Sequence, residues 1–143
     1  MPRPRYHKLS RPSPKVERYL GSLESQVMAY FWRTNSGTVR DVVAHLERTH
    51  PVAYNTVLTV MTRLTDKGLL TRELEDRTYR YRAARSREEF LGEISGQIVD
   101  DLLADFGDVA IAQFLTRMEQ VAPEKLAVLL ALARERTEDA DER

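Results

Sequence analysis

The sequence predicts a mainly α fold with one small β-wing: a winged helix-turn-helix domain followed by a C-terminal helical dimerisation domain. Three observations carry this reading. From Ala53 to Lys67, Val57, Val60, Met61 and Leu64 recur at i, i+3, i+4 and i+7, the period of one buried helix face. Directly after Gly68 come two short strand-like runs, Leu70 to Glu75 and Thr78 to Ala83, reversed at Asp76 and Arg77. The net charge of zero conceals a division: sixteen Lys/Arg stand against eight Asp/Glu up to Arg85, and six against fourteen beyond it. Such asymmetry joins a basic functional module to an acidic one.

The elements follow in order. Residues 1–18 are proline-rich and basic with little apolar content, which predicts an arm without fixed structure of its own. As a functional element it suits an extension along DNA phosphates or into a minor groove. A winged helix-turn-helix domain is expected over 19–85. Its first helix fits Ser22 to Arg33, with Ser22 as N-cap and Leu23, Val27, Tyr30 and Phe31 on the buried stripe. Met28 and Trp32 widen that stripe, and Trp32 reads as core. Asn35 to Gly37 break the helix, and Thr38 with Val39 predict a very short strand. A second helix is expected from Arg40 to Arg48 through Val42, Val43 and Leu46, ended by Pro51. The Ala53–Lys67 helix and the hairpin complete the domain.

On its solvent side the third helix carries Asn55, Thr59, Thr62 and Asp66, flanked by Thr56 and Arg63. Short hydrogen-bonding side chains and one arginine suit base edges and phosphates in a major groove. The same composition also fits an ordinary surface helix. In the hairpin, Tyr79 and Tyr81 alternate with Arg80 and Arg82, so one face packs while the other points cations outward. An edge hairpin charged against aggregation is the bland alternative.

Residues 86–136 predict a helical dimerisation domain. Ser86 and Glu89 form a capping-box signature opening a long helix, along which Leu91, Ile94, Ile98, Leu102 and Phe106 are apolar. Gly107 stops it. A second helix spans Asp108 to Gln120, with Val109, Phe114, Leu115 and Met118 apolar. Pro123 opens a third through Leu126, Leu129, Leu130 and Ala133. Three helices of this length cannot bury all their apolar faces within one protomer, which points to a second copy. An acidic tail closes the chain over 137–143, with fraying expected from Glu135.

Composition narrows the classes. There is no cysteine, which excludes disulfides, thiolate metal sites and thiol redox sensing. No apolar run reaches the roughly 18–20 residues that span a bilayer, so no membrane insertion is expected. The N-terminus lacks the apolar stretch of a signal peptide, and a cytoplasmic protein follows. His45 and His50 are out of phase for a metal pair. Asp100, Asp101, Asp105 and Asp108 read as a solvated acidic face, with no glycine loop or partner base nearby. An enzyme is not expected, nor a cofactor or a metal.

Three blocks in this order, from Leu20 to Trp32, from Thr38 to Val42 and from Ala53 to Gly68, resemble the BlaI/MecI/CopY family of penicillinase-type repressors. The likeness continues through Arg77 to Tyr81 and, more loosely, through the C-terminal helices as far as Arg136. It implies a homodimeric repressor that binds double-stranded, pseudo-palindromic operator DNA and interlocks through its C-terminal helices. Leu91, Ile94, Ile98, Leu102, Phe106, Phe114, Leu126, Leu129 and Leu130 are the residues expected at that junction. By position, Asn55, Thr56, Thr59 and Arg63 match the family's groove-facing residues. Thr38, Arg40, Lys67, Arg77, Arg80 and Arg82 are the candidates for phosphates. Leu58 stands where some relatives carry arginine, which implies a different operator preference.

The resemblance further implies release by proteolysis, when a membrane sensor protease signals a cell-wall antibiotic. The bond matching the family's cut is Gln113–Phe114, with Gln in place of the usual Asn. A copper-sensing branch uses C-terminal cysteines, which this chain lacks. Two alternatives stay open: a small-ligand-responsive winged-helix regulator, and a non-DNA protein-interaction adaptor.

Overall fold

The computed structural model describes residue 16 and residues 18–143. The basic arm expected over 1–18 lies outside the described residues except at Val16 and Arg18. The described chain divides into two compact units that part inside one helix, between Ile94 and Ser95.

In the first unit, helix α1 spans Ser22–Arg33 and buries Ser25, Val27, Met28 and Phe31. Gly21, not Ser22, takes the N-cap position, and no side chain caps that end. Ser22 instead offers its carbonyl to the Ser25 hydroxyl at 2.8 Å. Helix α2 spans Val39–Leu46 and is opened by a full capping box. The Thr38 hydroxyl accepts from the Asp41 N–H at 3.2 Å, and the Thr38 N–H donates to the Asp41 carboxylate at 2.9 Å. The strand expected at Thr38 and Val39 is therefore absent, because those groups cap and enter a helix. Its place is taken by one antiparallel bridge a residue earlier, Gly37 to Tyr81. The helix also stops short of Arg48, since the N–H groups of Thr49 and His50 both return to the Leu46 carbonyl before Pro51.

Helix α3 spans Tyr54–Asp66, and the four residues whose period predicted it, Val57, Val60, Met61 and Leu64, are its buried residues. Its end is a Schellman motif. Gly68 takes φ +78°, the Leu69 N–H donates to the Leu64 carbonyl at 2.9 Å, and the Gly68 N–H to Thr65 at 3.0 Å. Leu64 and Leu69 are both buried, as that motif's apolar contact requires.

Strands β1 (Leu70–Glu75) and β2 (Thr78–Ala83) pair antiparallel from Leu70↔Ala83 to Glu75↔Thr78. A two-residue loop closes them, with φ +47° at Asp76 and +70° at Arg77. Positive φ at both central positions is the type I′ turn, whose twist matches the flanking strands. Tyr81 is wholly buried in the core with Phe31, Met28, Met61 and Leu64.

Helix α4 spans Arg87–Phe106, and its first turn belongs to the first unit. The Ser86 hydroxyl accepts from the Glu89 N–H at 3.0 Å. Phe90 is buried and its ring lies 5.6 Å from that of Trp32, whose indole N–H donates to the Arg85 carbonyl at 3.1 Å. Leu91 and Ile94 also pack on this core.

The second unit holds the rest of α4 with α5 (Asp108–Val121) and α6 (Pro123–Asp141). Gly107 turns between α4 and α5 at φ +57°, and Pro123 sits in the first turn of α6. Helix α6 continues to Asp141 through the segment expected to fray, since Ala, Arg and Glu are good helix formers. From residue 95 onward only Ala122 is buried. No described helix is long and apolar enough to cross a membrane.

Candidate nucleic-acid interface

Helix α3 presents Asn55, Thr56, Thr59 and Arg63 to solvent, opposite the face that anchors it. The Thr59 hydroxyl donates to the Asn55 carbonyl at 2.9 Å, and Thr62 to Leu58 at 2.8 Å. With its single donor turned inward, each threonine offers outward an acceptor lone pair and a methyl. That combination accepts from the amino groups of cytosine or adenine and packs on a thymine methyl. Arg63 adds a charged fork that fits guanine or phosphate. Leu58 is half-buried beside them.

The hairpin sorts its side chains by alternation. Leu70, Arg72 and Leu74 share one face with Tyr79, Tyr81 and Ala83, and Thr71, Glu73 and Glu75 share the other with Thr78, Arg80 and Arg82. The sequence placed the outward cations on the second face. There Arg80 is engaged: its Nε lies 2.9 Å from Glu75 in the hairpin, and its Nη1 lies 3.3 Å from the Ser36 hydroxyl outside it. Lys67 is engaged as well, with Nζ 3.2 Å from Glu24 on α1. Arg40, Arg77 and Arg82 are exposed with no ion pair among the described residues. Thr38 keeps its hydroxyl in the α2 capping box.

Sequence reasoning missed Arg72. Its guanidinium lies 4.2 Å from the Tyr79 ring centroid. The buried Tyr81 hydroxyl, a loose partner that makes no hydrogen bond of good geometry among the described residues, raises the Arg72 pKa above its ordinary value. Arg72, Arg77 and Arg40 line a groove of about 570 Å³ with Thr38, Tyr54, Leu58 and Tyr79, between the starts of α2 and α3 and the hairpin. The signal was available: Arg72 sits midway between Leu70 and Leu74, a cation in the register of the inward face.

The residues assigned to dimerisation separate into two sets. Leu91 and Ile94 pack on the winged-helix core. Ile98, Leu102, Phe106, Phe114, Leu129 and Leu130 are exposed, with Phe106 at 60% and Phe114 at 57%, and Leu126 is half-covered. Gln113 and Phe114 lie in the middle of α5, both exposed. Among the described residues no cluster of His, Asp and Glu could hold a metal ion.

The sequence profile of the penicillinase repressor family matches residues 20–135. Two curated relatives, each named transcriptional regulator BlaI, come from strains of Mycobacterium tuberculosis. Each is 40% identical over 84 residues, 58% of this chain and 59% of the relative. The chain thus spans about three fifths of the length of the curated relatives it matches. Among solved structures, transcriptional regulator Tm0710 from Thermotoga maritima is similar over 83% of this chain and 89% of that one, at 20% identity and TM-score 0.47. Bacillus subtilis PadR, solved in complex with operator DNA, is similar over 81% and 76%, at 11% identity and TM-score 0.43.

Proposed function

Because the chain belongs to the penicillinase repressor family, we propose that it is a homodimeric transcriptional repressor acting on a pseudo-palindromic operator. One observation carries the DNA half of the reading. The face of α3 opposite its buried stripe is built from Asn55, Thr56, Thr59 and Arg63, with Arg40, Arg72 and Arg77 lining the adjacent groove. Helix α3 enters the major groove, its four residues read base edges, and the hairpin and the start of α2 hold phosphates. Within the phosphate set Arg40, Arg77 and Arg82, without ion pairs among the described residues, carry the charge, and Arg72 joins them. Lys67, Arg80 and Thr38 chiefly fix the elements that present them.

The dimer half rests on residues 95–143, where large apolar side chains stand exposed on all three helices and only Ala122 is buried. Such helices gain their stability by covering that surface with a second copy. Ile98, Leu102, Phe106, Phe114, Leu129 and Leu130 form that junction. Release follows a cut at Gln113–Phe114 by a membrane sensor protease. The bond lies inside a helix, so α5 must unwind locally for cleavage. The role named for the relatives, transcriptional regulation, favours this reading over an enzyme or a protein adaptor.

A gel shift with the DNA upstream of the chain's own gene, titrated with salt, tests the binding. Specific retardation that weakens linearly in log salt is expected. Retardation equal to that of random DNA at every salt rejects the repressor. Sedimentation of the intact chain and of Ile98→Lys tests the dimer, the variant being expected as a monomer.

A further inference from the structure

We propose that the cavity between α1 and the β2–α4 connection binds a small aromatic carboxylate, and that its occupancy adjusts operator affinity. The regulatory half rests on the repressor reading above; the binding half does not. The cavity measures about 770 Å³, and its described lining residues all belong to the first unit. That is within the range of small-molecule sites, roughly 300–1,000 Å³, and well beyond what one inorganic anion fills.

Its lining points to the ligand's chemistry. Phe31 and Trp32 supply apolar wall, and among the described lining residues Arg33, Arg85 and Arg87 supply positive charge against one carboxylate, Glu88. Two of these guanidinium groups are engaged. Arg85 pairs with Glu93, and Arg33 reaches the Ala29 carbonyl and His45, each at 3.4 Å. Arg87, half-covered as a residue and without a hydrogen bond or ion pair to another described residue, has its fork of donors available to a carboxylate. The Trp32 indole N–H is already given to the Arg85 carbonyl, so this side chain offers a ligand its ring and not a donor. A flat ring bearing a carboxylate meets both demands; a cation would be repelled by the three guanidinium groups.

The same walls explain how binding would reach the DNA. The Trp32 to Arg85 hydrogen bond joins α1 to the connection that leaves the hairpin's second strand and enters α4. A molecule seated between them acts on both ends of that link.

Trp32 is the single tryptophan of the chain and lines this cavity, so its fluorescence responds to a ligand seated there. Intact protein is titrated with benzoate, benzyl alcohol and acetate, with calorimetry as a second readout. Saturable binding of benzoate below about 10 mM is expected, at least about tenfold weaker for the other two. Arg87→Gln should weaken benzoate about tenfold and Arg87→Lys less, both with unchanged melting curves. Under saturating benzoate, operator Kd should move by roughly fivefold or more. Absence of saturation, equal binding of benzyl alcohol, or indifference to Arg87→Gln overturns the site. Benzoate binding with operator Kd unmoved overturns the regulatory half. Operator binding measured without benzoate judges the repressor reading separately.

Discussion

Gly37 and Tyr81 hold one another by two reciprocal backbone hydrogen bonds: Gly37 N–H to the Tyr81 carbonyl at 3.0 Å, and Tyr81 N–H to the Gly37 carbonyl at 2.8 Å. The pair fastens the inner register of the hairpin to the residue preceding the α2 capping box. The groove lined by Arg40, Arg72 and Arg77 therefore has a fixed floor. A Cβ at Gly37 would lie 2.8 Å from Tyr30 Cε1 and 2.9 Å from its Oη, so any larger residue must displace that ring.

Gly37→Ala should accordingly destabilise the first unit by about 1–3 kcal/mol, the cost of overpacking. A urea midpoint lowered at constant slope would show it. Adding Tyr30→Leu should recover part of the loss by clearing the contact. If Gly37→Ala melts like the native chain, the Tyr30 ring yields freely and the bridge is not confined.

Arg63→Ala should weaken specific DNA binding by about 1–3 kcal/mol and relax preference at one position of each half-site. Arg63 is exposed beside the buried stripe of Val57, Val60 and Leu64, so folding should be little affected. Binding-site selection on the variant gives the answer. An unchanged motif and affinity would remove Arg63 from the reading surface.

The hairpin tip sets stability against function. Arg77 sits at φ +70°, where an L side chain costs about 1–2 kcal/mol relative to glycine. Arg77→Gly should raise hairpin stability by about 1 kcal/mol and still weaken DNA binding. It should also flatten the slope of log K against log salt by roughly 0.9 for one lost phosphate contact. Arg72→Ala should flatten it similarly, and Arg80→Ala less, because Arg80 is already paired with Glu75. A larger slope change at Arg80 than at Arg72 would reverse this assignment.

The core extends past the loop that ends the hairpin, and truncation should reveal it. A chain ending at Ile94 keeps Phe90 on Trp32 and should fold as a monomer that binds a half-site weakly, without the 10²–10⁴-fold avidity typically given by linked domains. A chain ending at Arg85 loses that ring and should be less stable by about 3–5 kcal/mol, as for Phe→Ala in a core. Thermal melts and sedimentation of the two fragments separate these outcomes. Equal stability would place Phe90 outside the core, and a dimeric fragment would move dimerisation into the winged helix.

Features enforced by near neighbours along the chain were legible before folding was considered. The period of Val57, Val60, Met61 and Leu64 identified α3 and its buried face, and Gly68 marked its end because the Schellman turn needs positive φ. Asp76 and Arg77 marked the reversal, Ser86 the start of α4 and Pro123 that of α6, all through contacts within a few residues. Local rules also misled, at Ser22 and at Thr38 with Val39, where a competing use of the same groups won: Gly21 took the first cap, and Thr38 capped a helix where a strand was expected.

Which partner each buried or charged group meets was settled by packing between distant parts of the chain. Periodicity shows that Leu91, Ile94 and Ile98 share one helix face, yet it cannot assign Leu91 and Ile94 to the winged-helix core while Ile98 stays exposed. Charge counting shows that Lys67, Arg72 and Arg80 are cations, yet Glu24 and Glu75 engage the first and last while Arg72 faces the groove. The physical reason is the same in each case. Hydrophobicity and secondary-structure preference are properties of a short stretch of chain, whereas ion pairing and burial depend on groups brought close by folding from distant positions, which no local pattern records.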